Sequence, residues 1–246
     1  MRPVIFSGPT LWSDPILRAR DFLFLPPAKD GDVYRAARSG APAIGIIDGQ
    51  FETAPSIWHK EILFALSRGI PVFGAASMGA LRAAELAPFG MVGVGRVFES
   101  IASGTLRDDD EVAVLHAGPE LGFRPLSEAM VDIRATLESA LAGGVVSKNT
   151  CRHIERIAKA MFFKDRRWEY VLRKAANTPL RKREIAAFSR WLPQNMVEQK
   201  REDARAMLAA MQTRIAAGTQ PFRPAFEFQR TCFWRSFVAT QRRARA

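Results

Sequence analysis

The sequence predicts an α/β fold, with an N-terminal parallel sheet followed by a mostly helical C-terminal half, from three observations. In the first half, short apolar runs alternate with helix-like segments across short connections, which is typical of a parallel sheet buried on both faces. Turn-forming pairs such as Gly8-Pro9 and Asp48-Gly49 separate these segments. From about residue 125, apolar residues recur at helical spacing instead.

Each element follows from this change of period. The predicted strands are Pro3–Ser7, Phe22–Leu25, Ala43–Ile47, Val72–Gly74 and Val112–His116. The helices expected in the first half are 11–19, 31–39, 56–69, 77–87 and 96–103, with the glycine-rich stretch 89–95 as an irregular connection. The helices expected in the second half are 126–142, 147–164, 165–176, 180–191 and 194–216.

The two halves also differ in charge. Residues 1–123 carry 11 Lys and Arg against 14 Asp and Glu, whereas residues 124–246 carry 25 against 11. We therefore predict an α/β core domain at 1–123 and a basic helical region at 124–246 that packs on or beside it. The basic region suits an acidic protein or peptide partner. No helix-turn-helix, RNA-recognition or zinc-finger signature accompanies its charges, which argues against a nucleic-acid partner.

Composition limits the possible cellular compartment, membrane partners and cofactors. No stretch approaches the roughly 18 consecutive apolar residues that span a bilayer, so no membrane partner is expected. Cys151 and Cys232 lack the spacing of a zinc site or a disulfide framework, which indicates a reducing, cytoplasmic setting. Neither a cofactor nor a metal is expected. The acidic run Asp108–Glu111 could bind Mg²⁺, or it could hold basic groups of a neighbouring segment.

The most informative segment runs from Ile70 to Leu86, where an apolar run, a turn of small residues and a helix-forming stretch follow one another. Ser77 lies at the turn, over the free N–H groups of a helix N-terminus, which could stabilise an oxyanion. The run Ala75-Ala76-Ser77-Met78-Gly79 matches the G-x-S-x-G nucleophile motif only at its second glycine. Ser77 could therefore be a nucleophile, or it could only cap the helix.

Lys60 is the candidate base for Ser77. Burial against apolar groups favours the neutral amine of a lysine, which can then take the proton of a serine hydroxyl. Lys60 is one of only two lysines in the first 123 residues, and it opens the helix that precedes the Ser77 strand. It could also be a solvated helix residue. His59 is a second candidate base, which could instead pack at the helix edge.

Glycines fall at the ends of the predicted strands, where α/β proteins place their ligands. Arg82, three residues beyond Gly79, could face such a site or could pair with Glu85 on the helix surface. We therefore expect a site at one edge of the sheet. Its expected lining and oxyanion-binding residues are Gly8, Asp48, Gly49, Met78, Gly79 and Arg82.

Six segments resemble, in order, the core motifs of TfuA-like proteins. The resemblance covers about residues 3–116 and includes the stretch Gly90-Met-Val-Gly-Val-Gly, but no motif in the basic half. The six segments are Phe6-Ser-Gly-Pro-Thr-Leu, Leu25-Pro-Pro-Ala-Lys-Asp-Gly-Asp-Val, Ile46-Ile-Asp-Gly-Gln-Phe, His59-Lys-Glu-Ile-Leu, Gly74-Ala-Ala-Ser-Met-Gly-Ala-Leu-Arg-Ala-Ala-Glu-Leu and Asp109-Asp-Glu-Val-Ala-Val.

The resemblance implies a role in peptide backbone thioamidation. TfuA proteins act beside YcaO enzymes, which activate a backbone amide with ATP and install sulfur. The resemblance implies that this chain hydrolyses the thiocarboxylate of a ThiS-like, ubiquitin-fold sulfur carrier, supplies sulfide to YcaO, and helps YcaO engage a ribosomal precursor peptide or protein. It also implies a Ser–Lys pair, which falls at Ser77 and Lys60. The alternative is a non-catalytic adaptor that bridges YcaO, carrier and peptide.

Overall fold

The centre of the molecule is a five-stranded parallel sheet in the strand order β2-β1-β3-β4-β5. The computed structural model describes residues 1–50, 54–176, 179–218 and 224–243. The α/β fold predicted from the alternating apolar runs is confirmed. The strands are β1 Val4–Phe6, β2 Leu23–Leu25, β3 Ile44–Ile46, β4 Val72–Ala75 and β5 Val92–Val94.

Helices follow the strands and then make up most of the second half, as predicted. Among the described residues, no helix combines the length and the apolarity needed to cross a membrane. The division of the chain near residue 123 stays a prediction. The helices are α1 Asp32–Arg38, α2 His59–Ser67, α3 Met78–Leu86, α4 Arg96–Ala102, α5 Met130–Ala142, α6 Lys148–Lys159, α7 Trp168–Ala175, α8 Pro179–Asn195, α9 Gln199–Ala216 and α10 Cys232–Arg243.

Both faces of the sheet are covered, which explains why its central strands are apolar throughout. Helices α1, α2 and α3 pack on one face, around Ile44 and Ile46 of β3. Helix α9 packs on the other face, where Met207 and Met211 lie against Ile5 of β1. A separate core joins α5, α6, α7 and α8. The helical half therefore reaches onto the sheet through α9.

Two predicted elements are wrong, one for a local reason and the other because of contacts with distant segments. The expected helix at 11–19 is instead a pair of 3₁₀ turns, Pro9–Leu11 and Pro15–Arg18, because each turn begins with a proline that cannot donate a helical hydrogen bond. The expected strand at Val112–His116 does not join the sheet. His116 forms only an isolated bridge with Pro125, and the carbonyl of Val112 accepts hydrogen bonds from side chains instead.

Two elements were missed by the sequence analysis. The stretch 89–95, expected to be irregular, contains the edge strand β5, whose Gly93 leaves room for the ring of Phe98. The aromatic tail contains α10, which packs through Trp234 against Tyr34 and Phe64. In both cases packing against distant residues, rather than a local pattern, determines the element.

Candidate active site

The turn between β4 and α3 holds Ser77 in a constrained conformation. Ala76, directly before it, has a φ of +66°, in the left-handed region that non-glycine residues seldom adopt. Gly79 packs directly against β3, since a Cβ there would lie 1.8 Å from the carbonyl oxygen of Ile46. A strained residue beside an interlocked backbone is typical of a functional turn. The turn fixes Ser77, which is only 3% exposed, at the carboxyl ends of the strands.

Ser77 and Lys200 meet at one backbone carbonyl. The hydroxyl of Ser77 donates to the oxygen of Val112 at 3.4 Å, and Nζ of Lys200 donates to the same oxygen at 2.9 Å. The two side-chain atoms are therefore no more than about 6.3 Å apart. Lys200 is 3% exposed, and within the described ranges Val112 is the only acceptor of its amine. A buried lysine that the sequence analysis did not name thus shares its acceptor with Ser77.

Lys200 reaches the site because it stands at the start of α9. The buried face of this helix continues from Lys200 through Ala204 and Met207 to Met211, at the spacing of one helical stripe. Its backbone amide also donates to Oδ1 of Asp132 at 3.0 Å, which anchors the first turn of α9 to α5. A lysine in line with Ala204, Met207 and Met211 at helical spacing is the signal by which the sequence could have revealed this residue.

A cavity of about 90 Å³ lies beside Ser77. It opens between the ends of β1 and β3, where the strand order reverses direction along the chain, and open α/β sheets place their ligands at such a point. Its volume corresponds to about three water molecules, so it admits a narrow group such as a chain terminus. The lining residues are Pro9, Asp48, Gly49, Ser77, Val114, Leu115, His116, Phe163 and Lys164.

Asp48 organises this edge of the sheet. Its Oδ2 accepts the amides of Gly8 at 2.8 Å and Thr10 at 3.1 Å, and its Oδ1 accepts the Thr10 hydroxyl at 2.6 Å. The carboxylate thereby ties the segment after β1 to the end of β3. The sequence analysis expected Gly8, Asp48 and Gly49 at this edge of the sheet. Gly8 and Asp48 are joined there by a hydrogen bond.

Some backbone amides near Ser77 already donate hydrogen bonds to carbonyl groups, and others could donate to a bound ligand. The amide of Gly79 donates to the carbonyl of Ile47 at 3.2 Å, so it is not available to an oxyanion. The amide of Gly49 lines the cavity, and no acceptor for it occurs in the described part of the chain. Met78 packs its side chain against Gly49 and supplies the first amide of α3. Gly49 is therefore the candidate oxyanion donor in the cavity lining, and the amide of Met78, which is outside that lining but adjacent to Ser77, is a second candidate.

The structure does not bring Lys60 to Ser77. Its Nζ donates to the hydroxyl of Thr231 at 3.2 Å and lies over the ring of Phe228, so it faces the C-terminal segment. His59 bonds to Glu85 on α3 at 2.7 Å. Neither Lys60 nor His59 lines the cavity beside Ser77.

Arg82 also lies outside the cavity, and its role is to connect elements. Its Nε donates to the carbonyl of Ile57 at 3.2 Å, and its guanidinium pairs with Glu85 at 2.7 Å. This is the helix-surface pair that the sequence analysis gave as the alternative for Arg82. Arg82 thus fixes α3 against the segment that leads into α2.

A lysine lies at the centre of the acidic run. Nζ of Lys159 contacts Asp108 at 3.0 Å and Glu111 at 2.9 Å, and it also binds Asp110. The three carboxylates approach closely enough to hold a cation, and an ammonium lies among them. Although burial opposes it, hydrogen bonds from Lys159 and Arg166 lower the pKa of Asp110. The run therefore holds basic groups of a neighbouring segment, one of the two alternatives the sequence left open.

Arg166 completes this network and holds Val112 in place. It is fully buried, and it donates to the carbonyl of Asp110 at 3.1 Å, to its carboxylate at 2.7 Å, and to the carbonyl of Ala158 at 3.0 Å. Because Asp110 is two residues before Val112, these bonds position the carbonyl that joins Ser77 to Lys200. The acidic run thus helps to fix the position of the Val112 carbonyl.

Two half-buried carboxyl groups, those of Glu128 and Asp132, line a pocket together with Lys200. Burial, together with the neighbouring negative charges of Asp132 and Glu198, raises the pKa of Glu128 to about 7. Burial raises the pKa of Asp132 to about 6, against the opposing effect of the Lys200 charge. Both carboxyls therefore retain protons at a pH where exposed carboxyls have lost them.

Glu128 gives the stability of the protein a measurable pH dependence. Because the folded state holds this proton to higher pH than the unfolded chain does, the free energy of unfolding falls as pH rises from about 4.5 to about 7. We expect Glu128→Gln to remove about 3 kcal/mol of that fall and to be more stable than the wild type at pH 8 by a similar amount. Urea unfolding at pH 4.5 and pH 8 measures both effects.

The control for this experiment is Glu120→Gln, which changes an exposed carboxyl. It is expected to unfold like the wild type at both pH values. An equal effect of Glu128→Gln at pH 4.5 and pH 8 would contradict the assignment, because an uncharged packing change carries no pH dependence.

Comparison with known proteins agrees with the motifs of the first half. A family model described as TfuA-like protein matches residues 48–167. This match supports identification of the chain as a TfuA-like protein. No curated protein matches it. In this TfuA-like protein the matched segment contains Asp48, Ser77 and His116 and ends before Lys200. The match supports an accessory role in the TfuA/YcaO system.

Proposed function

We propose that this TfuA-like protein hydrolyses the thiocarboxylate of a ThiS-like sulfur carrier and supplies the sulfide to a YcaO enzyme, which thioamidates a ribosomal precursor peptide or protein. The observation that carries the proposal is the meeting of Ser77 and Lys200 at the carbonyl of Val112, beside a cavity at the ligand-binding edge of the sheet. A serine with a buried amine is a sufficient pair for acyl transfer. The family supplies the substrate class.

In the proposed first step, Oγ of Ser77 attacks the carbonyl carbon of the thiocarboxylate. The neutral amine of Lys200 takes the hydroxyl proton while one of its N–H groups remains on the carbonyl of Val112. The developing oxyanion receives hydrogen bonds from the amides of Gly49 and Met78. These donors are already fixed by the packing of Met78 on Gly49, so little reorganisation is needed.

The intermediate then collapses with cleavage of the carbon–sulfur bond. The sulfur leaves as HS⁻, a step that consumes one proton, and the carrier remains as an acyl ester on Ser77. Water attacks this ester and loses two protons, one of which replaces the proton that the sulfur consumed. The carrier leaves with a carboxylate end, and the ammonium of Lys200 returns its proton to Oγ. Direct attack by an activated water is the alternative to the acyl-serine intermediate.

The choice of Lys200 over Lys60 rests on geometry. Lys200 shares an acceptor with Ser77, whereas Lys60 is directed to Thr231. The cavity also suits the substrate, because it admits a slender chain end, and Lys164 adds a positive charge to its lining for an anionic thiocarboxylate.

The test measures sulfide released from a thiocarboxylated carrier by the full chain. We expect the wild type to release sulfide and Ser77→Ala to be at least about 100-fold slower, because the nucleophile is lost. Ser67→Ala is the matched control, since the Ser67 hydroxyl bonds to a carbonyl of its own helix and lies outside the cavity. Mass spectrometry of quenched wild-type reactions is expected to show the carrier esterified to Ser77.

Retained release in Ser77→Ala would contradict the role of Ser77 as nucleophile. If the wild type releases no sulfide, either alone or with YcaO added, the protein is an adaptor without chemistry. Sulfide that appears only with YcaO, and only when Ser77 is present, supports a hydrolase that needs its partner.

A further inference from the structure

His116 lines the same small cavity as Ser77. Its Nδ1 lies 2.8 Å from the carbonyl oxygen of Ala117. A carbonyl oxygen only accepts hydrogen bonds, so Nδ1 carries the proton of the neutral ring. Nε2 then bears the lone pair, and no hydrogen-bond partner for it occurs in the described segments. The neutral ring is thus held in the tautomer that accepts a proton at Nε2, and the imidazolium formed in this way can deliver that proton again.

The surrounding loop fixes this orientation. The amide of Ala117 donates to the carbonyl of Arg124 at 2.8 Å, which closes the loop just beyond His116. The ring of Phe123 lies edge-on to the imidazole, with 5.8 Å between the ring centres. Before His116, the amide of Leu115 donates to the hydroxyl of Ser127 at 2.7 Å. Contacts on both sides therefore restrain the imidazole, as a preorganised catalytic group requires.

The proposed reaction needs a second proton-transfer group besides Lys200. Lys200 receives the proton of the Ser77 hydroxyl, so it holds an extra proton when the carbon–sulfur bond breaks. The substrate sulfur begins as an anion and needs a proton to leave as HS⁻. The small cavity brings a thiocarboxylate bound at Ser77 into contact with its other lining residues, which include His116.

We propose that His116 is the general acid for the departing sulfide and the general base for the hydrolytic water; this inference rests on the proposed hydrolysis. In the first half-reaction the Oγ–C bond forms, the C–S bond breaks, and the imidazolium gives its Nε2 proton to sulfur. In the second, neutral Nε2 takes a proton from water as the new C–O bond forms. The Oγ–C bond then breaks, Lys200 returns its proton to Oγ, and the imidazolium is restored.

The other histidines are placed differently. His59 bonds to Glu85 and lies outside the cavity, so it serves as a matched control. His153 lies on α6 and is also absent from the cavity lining. His116 is therefore the histidine that can reach a group bound at Ser77.

The experiment uses the full chain with a thiocarboxylated carrier and follows sulfide release. His116→Asn keeps an N–H donor for the carbonyl of Ala117 but lacks Nε2, so we expect it to remain folded and to be about 100-fold slower. His116→Ala is expected to be similarly slow, and added imidazole is expected to restore at least about 10-fold. The pH–rate profile of both variants is expected to lose the limb contributed by the imidazole. His59→Ala is expected to match the wild type.

The outcomes separate this inference from the function on which it rests. Wild-type activity that disappears in Ser77→Ala but is unchanged in His116→Asn would overturn the role of His116 alone. A slow His116→Ala variant that imidazole does not rescue, with an unchanged pH profile, would also overturn it, because that result indicates a structural effect. Sulfide release absent from the wild type would overturn the hydrolase function itself.

Discussion

Replacing Lys200 by methionine is expected to slow sulfide release by about 10²- to 10⁴-fold, the range that general-base catalysis typically contributes. Methionine retains the length of the side chain on the buried stripe of α9 but cannot take the proton of Ser77. Removal of the buried amine leaves the carbonyl of Val112 with the weaker donor Ser77, at 3.4 Å. The fold is expected to survive, since methionine suits the stripe of Ala204 and Met207 and the carbonyl of Val112 keeps its hydrogen bond from Ser77.

Lys60→Met is the matched control, because it makes the same chemical change at the lysine directed to Thr231. It is expected to release sulfide at a rate within about 2-fold of the wild type, because Lys60 lies outside the site. Single-turnover sulfide release with each variant measures the comparison. Loss of activity in Lys60→Met with full activity in Lys200→Met would reverse the assignment and restore Lys60 as the base.

Replacing Arg166 by methionine is expected to lower the free energy of unfolding by about 3–5 kcal/mol, the cost of breaking a buried charge network. The guanidinium is fully buried. It donates hydrogen bonds to the carbonyls of Ala158, Met161 and Asp110 and to the carboxylate of Asp110. Methionine has no N–H group, so these buried oxygen atoms lose their hydrogen-bond donor. Urea unfolding followed by tryptophan fluorescence measures the loss.

Arg167→Met provides the control from the neighbouring position. Arg167 is exposed and lies over the ring of Tyr170, so its replacement is expected to change stability by less than about 1 kcal/mol. The folded fraction of Arg166→Met is also expected to release sulfide more slowly, because the carbonyl of Val112 loses its support. Equal stability of the two variants would show that the buried network contributes nothing beyond packing.

The part of the site that the sequence predicted is local in the chain. An apolar run, a turn of small residues and a helix-forming stretch are enough to place Ser77 at a strand–helix turn, and Gly49 and Asp48 at a neighbouring strand end. Parallel strands bring their carboxyl ends to one edge, so these residues converge without any long-range information. The same reasoning correctly gave four of the strands in the sheet.

The part that the sequence did not predict depends on contacts between distant segments. Lys200 enters the site only because α9 crosses the sheet. In the basic half, one buried lysine cannot be distinguished by composition from the many other basic residues. Val112–His116 has the apolar pattern of a strand, but its polar groups bond to Ser77, Lys200 and Ser127 rather than to the sheet. No local pattern distinguishes these two uses of an extended segment.

The carbonyl of Val112 also sets an order of events during synthesis. It joins residue 77 to residue 200, so the sheet and its serine emerge from the ribosome well before the helix that carries the lysine. On the proposed mechanism, a nascent or truncated chain that ends before α9 has a nucleophile with no base and does not consume the carrier. Sulfide release then begins only when α9 docks on the sheet, and this docking acts as the maturation step of the enzyme.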